Sequence, residues 1–180
     1  MVLEHEVIHY LIKRLGKDRI YPHLDIKYHN LKTFLVPLDS LHPHEDVYSD
    51  IVEYVINDIL STGFIKYPIV VDIRTLTILD GHHRYNAFKK LGLKYIPAFL
   101  VDYAEDCISV YPLRKEIAVS KTLIIETALR KNIYPPKTSR HVYIGFTILP
   151  TYTPIKVIEK LESKNIQQDI VLPILRIESN

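Results

Sequence analysis

Asp80-Gly81-His82-His83-Arg84 brings a carboxylate, a glycine and three cationic or proton-exchanging side chains together in unbroken sequence. It lies between the apolar run Ile69 to Leu79 and the amphipathic stretch Tyr85 to Leu91, which places it at a strand-to-helix junction. Unpaired N–H groups and the positive end of a helix favour an anion at such a junction. Gly81 lets the backbone approach a phosphate closely, and Arg84 adds a planar fork of donors. The chemistry outlined is phosphate binding. The competing reading is that Asp80 caps the helix and the histidines are solvated.

Two further clusters carry groups of the same kind. His42-Pro43-His44-Glu45 precedes a helical stretch, where Glu45 either complements the helix dipole or, near a phosphate, takes the proton of an attacking hydroxyl. General-base help of that sort contributes typically ~10²–10⁴-fold. Pro135-Pro136 stiffens the entrance to Lys137-Thr138-Ser139-Arg140-His141, a run of donors suited to carboxylate or phosphate oxygens. The alternative for this run is a solvated basic turn.

The elements that must position these groups follow from periodicity. Leu3, Val7, Ile8, Leu11, Ile12 and Leu15 share a helical face ended by Gly16. Phe34 to Leu38 predicts a short strand. Val47, Ile51, Tyr54, Val55 and Leu60 predict a helix stopped by Ser61-Thr62-Gly63. Ile69 to Ile73 and Leu76 to Leu79 predict a hairpin running into Asp80. A helix over Tyr85 to Leu91 closes at Gly92, and Tyr95 to Val101 is the next strand. Beyond it come a strand over Ile108 to Tyr111, a helix from about Ser120 to Lys131, and the loop Tyr134 to His141. An alternating strand over Val142 to Leu149, a helix from about Pro154 to Ser163 and a last strand near Asp169 to Ile177 complete the chain. The expectation is an α+β core over 33–103, preceded by a helix and connection over 1–32. An α/β extension over 104–180 completes the site within one compact body.

Composition narrows the function classes. The chain has 180 residues, 47% hydrophobic and 24% charged, enough to bury a core. A net charge of +2 lacks the footprint of a dedicated nucleic-acid binder, so nucleic acid is not the expected partner. Cys107 is the only cysteine, which excludes an internal disulfide. No signal-peptide core or membrane-length apolar run occurs, and the expected location is the cytoplasm, with no membrane partner.

With these residues in hand, the chain resembles the ParB/sulfiredoxin-like superfamily over roughly residues 33–103, through Ile78-Leu79-Asp80-Gly81-His82-His83-Arg84-Tyr85, Leu91-Gly92 and Ile96-Pro97. Within it, the chain is similar to the free-serine kinases of SerK type. Leu41-His42-Pro43-His44-Glu45 resembles their K-P-H-E element, and Pro136-Lys137-Thr138-Ser139-Arg140-His141-Val142 their P-K-T-T-R-H-V element. His42 replaces the lysine and Ser139 the second threonine. The segment 103–134 looks shorter than in those enzymes. Sulfiredoxins carry a catalytic cysteine where this chain has His82, and ParB partition proteins carry a helix-turn-helix that is not evident here.

The resemblance implies a kinase that phosphorylates the hydroxyl of free L-serine, with ATP or ADP as donor and Mg²⁺ as cofactor. Gly81, His82, His83 and Arg84 would cradle the donor phosphates, and Asp80 would hold Mg²⁺. Glu45 would accept the serine proton, although Glu45 and Asp80 could exchange roles. Lys137, Thr138, Ser139, Arg140 and His141 would bind the amino acid and its product phosphate. The expected assembly is a monomer or homodimer. The alternative is a ParB-like nucleotide-binding regulator or DNA-associated protein without kinase activity.

Overall fold

The computed structural model describes residues 33–163 and the backbone of Leu172–Pro173. The helix expected over Leu3 to Leu15 lies outside the described residues, as does most of the strand expected near Asp169 to Ile177.

The fold is α+β. A five-stranded sheet has the order β4-β3-β5-β1-β9, built from β1 (Thr33–Pro37), β3 (Ile69–Asp72), β4 (Ile78–Asp80), β5 (Tyr95–Val101) and β9 (Leu172–Pro173). β3 and β5 run parallel, and the other pairings are antiparallel. Between them lie α1 (Ser49–Thr62), the short β2 (Phe64–Ile65) and α2 (His82–Lys90). Then follow β6 (Ile108–Pro112), α3 (Lys121–Arg130), β7 (Ser139–Tyr143), β8 (Thr153–Pro154) and α4 (Ile155–Ser163). β6 pairs with β7 and β2 with β8, each as an antiparallel ribbon.

Both faces of the sheet are covered, which is why β3 and β5 read as continuous apolar runs rather than alternating ones. Ile69, Val71, Ile96, Ala98 and Leu100 face a core shared with Ile59 of α1, Phe88 of α2 and Ile158 of α4. Val70, Leu79 and Val101 face a second core with Tyr103, Ile108 and the α3 residues Ile124, Ile125 and Leu129. The second core therefore mixes residues from both sides of position 103.

Two expectations change, and one pairing is added. The face of α1 that packs inward is Val52, Val55 and Ile59, whereas Tyr54 and Leu60 point to solvent. β2 pairs with β8, a ribbon that two-residue strands are too short to announce in sequence. The strand expected over Val142 to Leu149 instead spans Ser139–Tyr143, because its partner β6 begins at Ile108, opposite Tyr143. Beyond that pair the Ile144 N–H donates to the Cys107 carbonyl at 2.7 Å, and Gly145 at φ 82° turns the chain away.

The hairpin is as expected, and a buried polar network holds its turn. The Asp72 carboxylate accepts from the N–H and hydroxyl of Thr75 and from the Tyr103 N–H. Arg74 forks onto Asp102 through Nε and Nη2. With both carboxylates hydrogen-bonded, this end of β3 and β5 is rigid, and it fixes Tyr103, which reaches the site described next.

Candidate active site

The junction after β4 forms as the sequence indicates, but Asp80 does not cap the helix. Asp80 is the last strand residue, and Gly81 is the N-cap at φ 102°, ψ 25°, with no side chain capping α2. The first helical bond runs from the Tyr85 N–H to the Gly81 carbonyl at 2.9 Å, so the N–H groups before it project ahead of the helix. A Cβ on Gly81 would stand 2.5 Å from Ile69 Cγ2 and 3.0 Å from Arg84 Nη2. The glycine is required by backbone conformation and by space alike. Arg84 Nη2 donates to Asp80 Oδ2 at 2.7 Å, and Asp80 is more than half exposed. Such a pair adds little stability, but it aims the guanidinium across the cradle.

His83 turns outward and accepts the Tyr48 N–H on its Nε2 at 3.2 Å, its ring stacked on that of Tyr48. Tyr48 is the N-cap of α1, so the N-termini of α1 and α2 meet here.

His82 is buried and faces His44, with ring centroids 4.5 Å apart and edge to face. His44 belongs to an extended segment bonded on two sides. His42 exchanges backbone bonds with Leu76 and Ile78 at 3.0 Å each, and His44 and Asp46 bond Tyr134 at 2.9 and 2.8 Å. The His44 Nδ1–H donates to the Ile78 carbonyl at 2.8 Å, and its Nε2 lies 3.0 Å from Ser139 Oγ. His141 stands 5.9 Å from the His44 ring, with Nε2 2.8 Å from the Tyr103 hydroxyl. Each ring is thus met by neutral partners in a closed layer.

Burial holds these histidines neutral. It brings His44 down to about 4, partly opposed by the bond to Ile78, and His141 down to about 3, with His44 adding to the effect. His82 is also held well below the ordinary value by burial, then by His44. The unfolded chain takes up protons below pH 6.5 while these rings do not. Their full contribution to stability is therefore present above pH 6.5 and is lost as the pH falls toward about 4. Each ring contributes a slope of about 1.4 kcal/mol per pH unit. Urea unfolding at pH 5 should show a midpoint well below that at pH 7; an equal or higher midpoint would mean the rings are not held neutral.

Glu45 is buried and bound into the loop that precedes β7. Its Oε1 accepts the Lys137 N–H at 2.7 Å, and its Oε2 accepts the N–H groups of Thr138 and Ser139 at 3.0 Å each. Ser139 Oγ approaches Oε2 at 3.2 Å, so this hydroxyl, with one proton, stands between Glu45 and His44. Three successive N–H groups converging on one carboxylate form an anion nest. Oε1 accepts one of these donors, the Lys137 N–H, and Oε2 the other three.

The three sequence clusters therefore meet, but not with every residue. Ser139 and His141 lie on the inward face of β7, while Arg140 points out on the opposite face. Thr138 is buried, its hydroxyl donating to the Pro135 carbonyl at 2.7 Å. Lys137 is exposed, at φ 57°. Two residues were not singled out from sequence, Tyr103 and Tyr143. Tyr143 continues the inward row Ser139, His141, Tyr143, a period-two signal that is legible once the strand starts at Ser139.

Among the described residues no group of three or more His, Cys, Asp and Glu side chains could hold a metal ion. Asp80 presents an exposed carboxylate at the cradle mouth, which fits a Mg²⁺ held by one carboxylate and substrate phosphates rather than by a protein cage. No helix of the described residues is long and apolar enough to cross a membrane.

The backbone superposes on a free serine kinase solved with AMP at a TM-score of 0.65 and 18% identity, covering 77% of this chain and 98% of that one. This is the free serine kinase fold. Sequence relatives agree with the resemblance carried by the three motifs. A protein of Staphylothermus marinus named ATP-dependent L-serine kinase is 28% identical over 125 residues, 66% of this chain and 50% of the relative. A ParB-like protein of Sulfolobus acidocaldarius is 42% identical over 84 residues, 47% of this chain and 42% of the relative. The chain thus spans about half the length of these relatives or less. No family model matches it. The Gly81 to Arg84 segment and the Lys137 to His141 segment lie on either side of the His44-Glu45 segment.

Proposed function

We propose that the protein transfers a phosphoryl group from ATP or ADP to the hydroxyl of free L-serine, giving O-phospho-L-serine. One observation carries the reading. His44 touches His82 of the cradle on one side and Ser139 of the loop on the other, and Glu45, next along the chain, is bound by the same loop, which supports a general base beside the loop and near the cradle. Phosphoryl transfer through a loose transition state asks mainly for alignment and charge neutralisation. The projecting N–H groups of α2 and Arg84 supply the second, and the buried histidine layer supplies rigid alignment.

In this reading Glu45 Oε1 takes the serine proton. Asp80 is the weaker candidate for the base, being exposed and tied to Arg84. Asp80 would hold Mg²⁺, which when bound neutralises charge on the donor phosphates. Lys137 and Ser139 are the loop groups best placed to meet the amino acid. Arg140 would have to come round the edge of β7, and Thr138 and His141 act by shaping the loop. The fold and the names of the matched relatives support the reading.

The test is a transfer assay of the purified protein with Mg²⁺ and L-serine, run with ATP and with ADP, detecting O-phosphoserine by mass. Serine-dependent product is expected with at least one donor. The ParB-like relative favours a second reading, a nucleotide-binding regulator. Nucleotide binding without phosphoserine from either donor would replace the first reading with the second.

A further inference from the structure

One peptide unit of the Pro135 to His141 loop is held at both ends by charged side chains. The Pro136 carbonyl accepts from Arg114 twice, from Nη2 at 2.7 Å and from Nε at 3.2 Å. The N–H of the same unit, on Lys137, donates to Glu45 Oε1 at 2.7 Å. Arg114 belongs to none of the three sequence clusters; it follows β6, and its side chain is a third exposed. Its neighbour Leu113 also clasps the loop, its N–H donating to the Thr138 carbonyl at 2.8 Å. The ion pair of Arg114 with the exposed Glu116 is long, 4.0 Å, and adds little hold of its own.

The local sequence opposes this orientation of the peptide. The chain turns at Pro136-Lys137, and Lys137 stands at φ 57°. Proline fixes its own φ near about −65°, so the turn has the type II form, whose second central residue needs positive φ and is usually Gly or Asn. A lysine there is strained. Rotating the one peptide between the two residues by about 180° gives a type I turn, in which Lys137 takes a negative φ that suits it. The rotated unit would present its carbonyl oxygen, not its N–H, to the Glu45 carboxylate, and the Arg114 fork would lose its acceptor. The observed orientation therefore needs a hold on both ends of the peptide, and Arg114 and Glu45 provide one each.

We infer that Arg114 is a positioning residue for Glu45: its fork on the Pro136 carbonyl keeps the Lys137 N–H turned to the carboxylate that takes the serine proton. The inference rests on the proposed function for the chemistry of Glu45 and adds to it a residue from outside the loop. A guanidinium on the carbonyl also polarises the peptide and strengthens donation at its N–H, because linked hydrogen bonds reinforce one another. Arg114 acts through that peptide and takes no part in proton transfer itself.

Arg114→Met tests this, because it removes the donors and keeps an apolar stem. In the nucleotide-free variant, hydrogen exchange of the Lys137 amide should quicken roughly 10–100-fold, the worth of a hydrogen bond to a charged group, while β5 amides keep their wild-type rates. The kcat for O-phosphoserine should fall at least ~10-fold, with ADP and ATP affinity within about twofold of wild type. Arg114→Lys, which keeps the charge without the fork, should fall between. Lys137→Gly separates positioning from anchoring, since glycine adopts positive φ without strain. In that background Arg114→Met should leave the amide of residue 137 protected to within about threefold.

Unchanged exchange at Lys137 in Arg114→Met would overturn the inference. So would a loss of protection that Lys137→Gly does not reduce, which would assign Arg114 to anchoring the end of β6. Lost protection with unchanged kcat would overturn it from the other side, because Glu45 would then need no positioning. Lost and rescued protection in a protein that makes no phosphoserine from either donor would sink the proposed kinase alone and uphold the hold of Arg114 on Glu45.

Discussion

Glu45→Gln is expected to lower O-phosphoserine formation by ~10²–10⁴-fold, the usual worth of a general base, while nucleotide affinity stays close to wild type. The side chain keeps its size and loses its charge and basicity. The structure adds a second expectation that a base exposed in a cleft would not carry. Glu45 accepts three backbone N–H bonds, from Lys137, Thr138 and Ser139, and a Gln amide must turn its NH₂ toward at least one of them. Hydrogen bonds to a charged group are each worth ~1.5–3 kcal/mol, and a buried donor facing a donor loses that and more. The variant should lose about 2–4 kcal/mol of stability. For a chain of this size, that is a melting temperature lower by roughly 4–16 °C. Thermal unfolding and the transfer assay on the same sample separate the roles. Normal turnover would remove Glu45 from the chemistry, whereas normal melting with lost turnover would show that its bonds to the loop contribute nothing to stability.

Gly81→Ala should be the most damaging single change at the cradle. The residue sits at φ 102°, outside the regions open to L side chains, a strain of about 1–3 kcal/mol. The new methyl would also stand 2.5 Å from Ile69 Cγ2 and 2.9 Å from Ile69 Cβ. Ile69 is fully buried in β3 and cannot swing away, so the overlap adds about 1–3 kcal/mol. Together these approach the lower end of a domain's whole stability, ~5–15 kcal/mol. Urea unfolding should show a loss of at least ~2 kcal/mol, with nucleotide affinity reduced as the helix start moves. The source of the loss is separable. In Gly81→Ala combined with Ile69→Ala the methyl overlap is gone, so Gly81→Ala should cost less in that background than in wild type. Equal costs in both backgrounds would mean that Ile69 does not press on the junction.

Much of this arrangement is legible in the amino-acid sequence, and the legible parts are local. β5 is predicted at its observed bounds because seven apolar residues, too few for a typical helix and opened shortly after Gly92, suit a strand covered on both faces. α1 ends at Gly63 because its left-handed conformation, φ 73°, lets the N–H close on the Ile59 carbonyl. Asp80 to Arg84 announces an anion cradle because strand, glycine and helix follow each other without a gap. In each case the deciding interactions lie within a few residues along the chain.

What only the tertiary structure decides depends on distant partners. His44, His82 and His141 have the composition of solvated cations, yet they form a buried neutral layer because each finds its partner 38 to 95 residues away. Glu45 has the sequence context of a mobile acid beside a helix, yet the loop 92 to 94 residues further on encloses it in backbone N–H groups. The phase of β7 is set by its register with β6, Ser139 opposite Pro112 and Tyr143 opposite Ile108, and a shift of one residue would exchange its faces. That register alone turns Ser139, His141 and Tyr143 toward the site and Arg140 away from it. The residue types specify the chemistry available; burial and strand phase, which are properties of the whole fold, select the groups that face it.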